Sequence, residues 1–173
     1  MVTNSEADDL GRRDPCGAPA AWRWHDVEFR FAGRIEPKRG GDGAVLVHAP
    51  QGRYAKRDTV RLNKYGAGPF CEFRLRGLPR SAGVYVYVLG GKPVYVGQAV
   101  DLDARFYAYG RISPKNCYRG GRETNCRMNT LIYDTYASGE RIDVYVHVTQ
   151  DYARLEASMI SDLRPKWNRS GVI

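Results

Sequence analysis

Long apolar runs are missing from this chain. No stretch of about 18 consecutive apolar residues occurs, which excludes a helix able to span a bilayer. Met1-Val2-Thr3-Asn4-Ser5 lacks the character of a signal peptide, so a cytoplasmic protein is expected. Cysteine is sparse. Cys16, Cys71, Cys117 and Cys126 show no CxxC spacing, and a reducing compartment disfavours disulfides. A zinc ion held by Cys71, Cys117 and Cys126 with a histidine therefore ranks well below buried free thiols. Internal repeats and low-complexity tracts are absent. Lysine is scarce too, at six residues against 21 arginines.

What is present is a basic, tyrosine-rich chain with a net charge of +8 and twelve tyrosines among its 173 residues. That length and a hydrophobic share of 43% suffice for one good core, or for a small domain with an appendage. Arginine presents a planar fork that meets phosphate in bidentate fashion, so its excess over lysine points toward nucleic acid. A basic but otherwise ordinary surface is the bland alternative.

The most informative stretch runs from Gly83 to Arg105. Val84, Val86 and Val88 alternate with Tyr85 and Tyr87, the period-2 pattern of a half-buried strand. Leu89-Gly90-Gly91-Lys92 supplies a turn, Pro93 opens a return strand, and Gly97 ends it. Asp101 stands where a helix N-cap belongs, ahead of Leu102, Phe106 and Tyr109 at helical spacing.

Gly83-Val84-Tyr85, nine residues, Tyr95-Val96-Gly97, and then an arginine ten positions beyond the second tyrosine resemble the GIY-YIG nuclease superfamily. Glu156 in Tyr152-Ala153-Arg154-Leu155-Glu156 and Asn168 in Arg164-Pro165-Lys166-Trp167-Asn168 extend the resemblance from Gly83 to Asn168. It implies an α+β fold, a small antiparallel sheet flanked by helices, here preceded by a short β-rich N-terminal extension. It also implies catalytic roles for Tyr85, Tyr95, Arg105, Tyr109, Glu156 and Asn168, with Tyr87 left outside the set. Tyr109 takes the place often filled by histidine or tyrosine.

Three regions are expected along the chain. Residues 1–21 are polar, with Asp8-Asp9 and Arg12-Arg13, and read as a flexible tail. Residues 22–80 carry short apolar runs around Val27 to Phe31, Ala44 to His48 and Phe73 to Leu75, with a turn at Gly40-Gly41-Asp42-Gly43. They read as a β-rich region that either contacts DNA or completes the core of the second half. Residues 81–173 form the nuclease-like domain. Within it Met128, Leu131 and Ile132 mark a helix with Thr124 as its cap and Gly139 as its stop, and Arg141 to Val148 reads as a strand. His147 falls on the polar face of that strand and is not enlisted. Tyr152, Leu155, Met159 and Leu163 trace the buried stripe of a last helix, which Pro165 ends.

Between Arg105 and Arg127 lie six basic residues and one acid, Glu123. Arg111, Lys115, Asn116, Arg119, Arg122, Asn125 and Arg127 are the candidate DNA contacts, because guanidinium and amide groups serve phosphates and base edges alike. A solvated loop is the alternative.

Hydrolysis of a phosphodiester needs an activated water, charge neutralisation and help for the leaving oxygen. Glu156 is a hard oxygen ligand for Mg²⁺ or Mn²⁺, although most helical glutamates are simply solvated. Arg105 suits the nonbridging oxygens, and Tyr85 is the candidate base or water-positioner. Tyr95 would orient water or phosphate, and Asn168 would anchor the site. Singly, each strand tyrosine reads as packing; together with Arg105, Glu156 and Asn168 the balance reverses. The leading expectation is a divalent-metal-dependent DNA endonuclease of restriction or phage-defence type. Double-stranded DNA is its favoured partner, with a homodimer suited to cutting both strands. The alternative is a non-catalytic nucleic-acid-binding module on the same scaffold.

Overall fold

A computed structural model describes residues 14–169. Strands β1 (Ala21–Trp24), β2 (Val27–Arg34), β3 (Gly83–Leu89), β4 (Lys92–Ala99) and β5 (Asp143–Val148) form one sheet in the order β1-β2-β5-β3-β4. Every adjacent pair is antiparallel. With helices α1 (Leu102–Gly110), α2 (Glu123–Ala137) and α3 (Tyr152–Leu163), this is the α+β fold expected from the sequence. No described helix is long and apolar enough to cross a membrane.

Local chemistry explains most boundaries. Leu89 pairs with Lys92, and Gly90 and Gly91 between them take φ values of +57° and +79°, as a tight hairpin turn requires. Asp101 caps α1 by accepting from the Ala104 N–H at 2.9 Å. Helix α2 starts at Glu123, so Thr124 lies inside its first turn and is not its cap. The chain leaves α3 through Arg164 at φ +46°, immediately before Pro165.

The sheet is covered on both sides. On one face Tyr85, Tyr87 and Tyr95 pack with Leu102, Phe106 and Tyr109 of α1 and with Met128, Ile132 and Tyr136 of α2. On the other, Val84, Val86 and Val96 pack with Met159 of α3, Phe29 and Tyr145. β3 is therefore buried on both faces and is not the half-buried strand its alternation suggested. Its tyrosines are core residues whose hydroxyls must find partners indoors. Arg34 and Asp143 tie β2 to β5 through a two-point ion pair at 2.8 and 3.2 Å.

The residues ahead of the hairpin belong to the same body. β1 and β2 extend the sheet through β5, and Ile35, Cys71, Phe73, Leu75 and Leu78 share the core of Tyr85. The sequence boundary near residue 80 thus falls within a continuous core. The expected strands at Ala44–His48 and Phe73–Leu75 do not form; only single bridges such as Arg39–Val45 and His48–Phe70 appear. Of the expected tail, residues 1–13 lie outside the described residues. Within the remainder Ala18 is buried, and the Pro19 carbonyl accepts from the Tyr145 hydroxyl at 2.8 Å.

Segment 35–80 is held by side chains that bond main-chain atoms. Asn129 of α2 accepts from the Cys71 N–H at 2.8 Å and donates to the Cys71 and Tyr109 carbonyls at 2.9 and 2.7 Å. Asn63 donates to the Asn116 carbonyl at 2.6 Å. Phe70, Ile112, Cys117, Tyr118 and Cys126 form a small third core beneath this segment.

Candidate functional site

The two tyrosine triplets meet across one hairpin, where Tyr85 pairs with Gly97. A Cβ on Gly97 would overlap the Tyr85 hydroxyl, and one on Gly83 would overlap the His147 carbonyl. Both motif glycines are thus needed for close approach. The Tyr85 hydroxyl shares a 2.7 Å hydrogen bond with that of Tyr109, which α1 delivers from the far side. Tyr95 completes the group, with ring centroids 6.1 Å from Tyr85 and 5.5 Å from Tyr87. Burial, reinforced by the neighbouring phenols, pushes Tyr85, Tyr87 and Tyr95 above the ordinary tyrosine range. All three stay protonated at neutral pH. Tyr85 is 1% exposed and Tyr95 8%, so Tyr95 is the more accessible of the two triplet hydroxyls.

Arg105 lies over the Tyr109 ring, its guanidinium carbon 5.8 Å from the centroid. Its charge also favours the ionised forms of Tyr87 and Glu156. Glu156 is half-buried. Desolvation raises its pKa above the usual glutamate value, against the opposing influence of the Gln98 dipoles and of the Arg105 charge.

The outer edge of β4 organises these groups. The Val94 carbonyl accepts from the Trp167 N–H at 2.9 Å. The Asn168 amide accepts from the Val96 N–H at 2.9 Å and donates to the Val96 carbonyl at 2.8 Å. Asn168 is thus bonded to backbone, beside Tyr95. Outward-pointing backbone groups recur every second residue, so Gln98 is next along that edge, and α3, which carries Glu156, packs on β4. Residues far apart in sequence therefore converge on one strand: Tyr95 and Gln98 from β4 itself, Tyr85 from β3, Arg105 and Tyr109 from α1, Glu156 from α3, and Asn168 from the segment after α3.

The candidate DNA contacts divide. Arg111, Lys115, Arg119 and Arg122 are exposed. Asn116, Asn125 and Arg127 are instead engaged or enclosed by protein. The Asn116 side chain accepts from the Arg122 N–H at 3.0 Å, and Arg127 donates to the Trp167 carbonyl at 2.8 Å. Asn125 is 1% exposed, with neither amide atom partnered. Asn125, Asn129, Ile132 and Tyr136 follow helical spacing, so two asparagines on an apolar stripe were the sequence signal that these positions face inward. Gln98 and Asn129 carried no motif and were not singled out from sequence. His147, outside the site, lies 2.9 Å from the Glu28 carbonyl.

The donor set fits a magnesium-type cation. Among the described residues no three His, Cys, Asp or Glu side chains gather to hold a metal ion. One carboxylate with the remaining positions left to other oxygens and water is how Mg²⁺ is commonly bound. On β4, the Gln98 Oε1 is a buried acceptor without a partner.

No family model and no curated protein matches this chain. Among solved structures it is similar to the GIY-YIG N-terminal endonuclease domain of UvrC from Thermotoga maritima bound to magnesium, its catalytic divalent cation. The identity is 22%, covering 53% of this chain and 88% of that one, with a TM-score of 0.36. It is also similar to a point mutant of bacteriophage T4 EndoII, at 16% identity over 64% of this chain and 87% of that one, with a TM-score of 0.47. Both overlaps are partial, and the chemistry of the site is read from its own side chains.

Proposed function

We propose that this chain is a GIY-YIG endonuclease that hydrolyses phosphodiester bonds of DNA with Mg²⁺ or Mn²⁺. The observation that carries the reading is the convergence on β4: a hydroxyl pair, Tyr85 and Tyr109, beneath a guanidinium whose charge reaches a half-buried carboxylate. Such a grouping supplies what a dianionic transition state needs.

Arg105 donates to the nonbridging oxygens of the scissile phosphate, where charge grows during the reaction. Tyr109 supports the guanidinium through its ring face and is itself fixed by the hydrogen bond to Tyr85. Tyr85 acts by position: enclosed and with its proton tightly held, it is a donor or relay and not a free phenolate. Tyr95, protonated and at the rim, donates to the attacking water or to a phosphate oxygen. Asn168 holds β4, and hence Tyr95, in place. Glu156 would hold the divalent cation, which when bound supplies Lewis acidity at the phosphate and stabilises the leaving 3′ oxygen.

The role within nuclease biology is restriction or phage defence in the cytoplasm, on double-stranded DNA. Exposed Arg111, Lys115, Arg119 and Arg122 supply affinity and readout, residues 22–80 add contacts, and a homodimer delivers two cuts. A second reading, a nucleic-acid-binding module without catalysis, is favoured by one observation, the near-complete burial of Tyr85 and Tyr109. Plasmid nicking with Mg²⁺ or Mn²⁺ decides between them. Cleavage by the parent and none by Glu156→Ala is expected. Equal cleavage by both would reject Glu156 as the metal ligand, and binding without cleavage would favour the second reading.

A further inference from the structure

The excess charge of the chain is not spread evenly along it. Of its 27 basic and 19 acidic residues, nine and one respectively lie in residues 51–66 and 111–122. The other 18 of each sign cancel, so the whole net charge of +8 resides in these two stretches. They form one body. Leu62 bridges Tyr118 in antiparallel sense; the Asn63 N–H donates to the Cys117 carbonyl and the Arg119 N–H to the Arg61 carbonyl, both at 2.9 Å. The Tyr118 hydroxyl donates to the Gln51 carbonyl at 2.9 Å, and a Cβ on Gly66 would overlap the Cys117 carbonyl. Tyr54, Val60 and Tyr65 pack on the small third core around Cys117 and Tyr118. The apolar side chains are thus turned inward, and Arg53, Lys56, Arg57, Arg61 and Lys64 are left exposed beside the four exposed cations of residues 111–122.

These cations lack counterions. Among the described residues none of the nine lies in an ion pair, whereas Arg23, Arg34, Lys38, Arg74 and Arg80 each lie within 4.0 Å of a carboxylate. Glu123, the next acid along, pairs instead with Arg169 at 4.0 Å. The bridge also sets Arg61 opposite Arg119, and like charges opposed across strands repel. A row of anions relieves that repulsion, and backbone phosphates are such a row. Free aromatic faces for bases are not on offer. Tyr54 packs on Tyr118, with ring centroids 4.6 Å apart, and Tyr65 carries Lys64 and Arg169 over its ring, 5.4 and 5.2 Å from its centroid. Single strands are held by stacking on such faces, duplexes chiefly by their phosphates. Arg169 directly follows Asn168 and donates to the Tyr65 hydroxyl, which joins this basic body to the clasp on β4. Resting on the nuclease reading, we propose that Arg53, Lys56, Arg57, Arg61 and Lys64, together with the 111–122 loop, dock the backbone phosphates of duplex DNA, and do so without the divalent cation.

The test is fluorescence anisotropy of a labelled DNA duplex of arbitrary sequence with the full chain, in chelator, across about 50–200 mM salt. Arg53→Ser/Arg61→Ser is compared with the parent and with a charge-matched control at two other exposed positions, Lys92→Ser/Arg141→Ser. Loss of two phosphate contacts is expected to reduce the steepness of log affinity against log salt by about 2, and the affinity near 0.1 M salt by about 10–100-fold. The control is expected to change the steepness by less than about 1. Without DNA the Arg53→Ser/Arg61→Ser melting temperature should hold or rise, because the repulsion between Arg61 and Arg119 is gone. Should that variant not fold, Arg53→Ser alone decides, with a steepness reduced by about 1. A parent that does not bind the duplex, a variant with the parent's steepness, or an equal fall in the control overturns the proposal. Tighter binding of the single strand or of an RNA duplex does so too. Plasmid nicking with Mg²⁺ separates the two readings. If the parent nicks and the variant binds as the parent does, only the docking surface fails; if binding falls as expected and the parent never nicks, only the nuclease reading fails.

Discussion

The two faces of β3 are built from one alternating sequence and behave as opposites. Val84 and Val86 meet Val96, Phe29 and Met159, a dry apolar layer beneath α3. Tyr85 and Tyr87 meet Tyr95, Phe106 and Tyr109, where every ring brings a hydroxyl or stacks on one that does. Valine burial stabilises without direction, each side chain contributing about 1.5–3 kcal/mol wherever it packs. Tyrosine burial stabilises only if the hydroxyl finds a partner, and that demand fixes geometry. Tyr85 finds Tyr109 and Tyr87 finds nothing. One face therefore holds the sheet together, and the other aims it.

Glu156 breaks this division, because it rides on the helix of the dry face yet is the proposed metal ligand for the tyrosine site. Glu156→Gln has the largest expected effect, complete loss of metal-dependent cleavage. Its sign on stability is the reverse. Because the folded-state pKa is raised, the ionised carboxylate destabilises the fold, beginning above the unfolded value near ~4.3 and fully above the folded one. In chelator at neutral pH the variant should melt above the parent, with the gain fading as pH falls through that window. A parent that is the more stable at neutral pH would contradict the burial argument. Next comes Met159→Ala on the dry face, expected to cost about 2–5 kcal/mol in urea unfolding while sparing the activity of the folded fraction. The smallest effects sharpen the contrast within the tyrosine face. Tyr109→Phe strips Tyr85 of its partner and should cost about 1–3 kcal/mol, with cleavage reduced. Tyr87→Phe removes an unpartnered hydroxyl and should leave stability equal or higher. Equal losses in the two would show that the 2.7 Å hydrogen bond does not distinguish them.

Features set by neighbours along the chain were legible in the residues alone. Gly90-Gly91 announced the hairpin turn, Asp101 the start of α1, and Pro165 the end of α3, since each acts on its own few residues. The stripe of α3 was legible for the same reason. Less could be read where a residue's role depends on main-chain atoms far away. Asn129 bonds Cys71, 58 positions distant, and Asn63 bonds Asn116, 53 distant; helical spacing marks Asn129 as inward-facing, but nothing in the sequence names either partner. The strands assigned to Ala44–His48 and Phe73–Leu75 failed because apolar alternation marks burial as well as pairing; Phe73 and Leu75 are buried core residues without a ladder partner. Within the candidate site, residue identities were visible in the triplets. What stayed hidden was that β4 would be the meeting line, with Gln98 upon it.

The clasp of Trp167 and Asn168 on β4 has a bearing on self-association. A strand at the margin of a sheet ordinarily invites pairing with a foreign chain, and β4, as the last strand of the order, is such a margin. Here the protein's own later segment occupies the Val94 and Val96 positions first. Polymerisation along that side is forestalled.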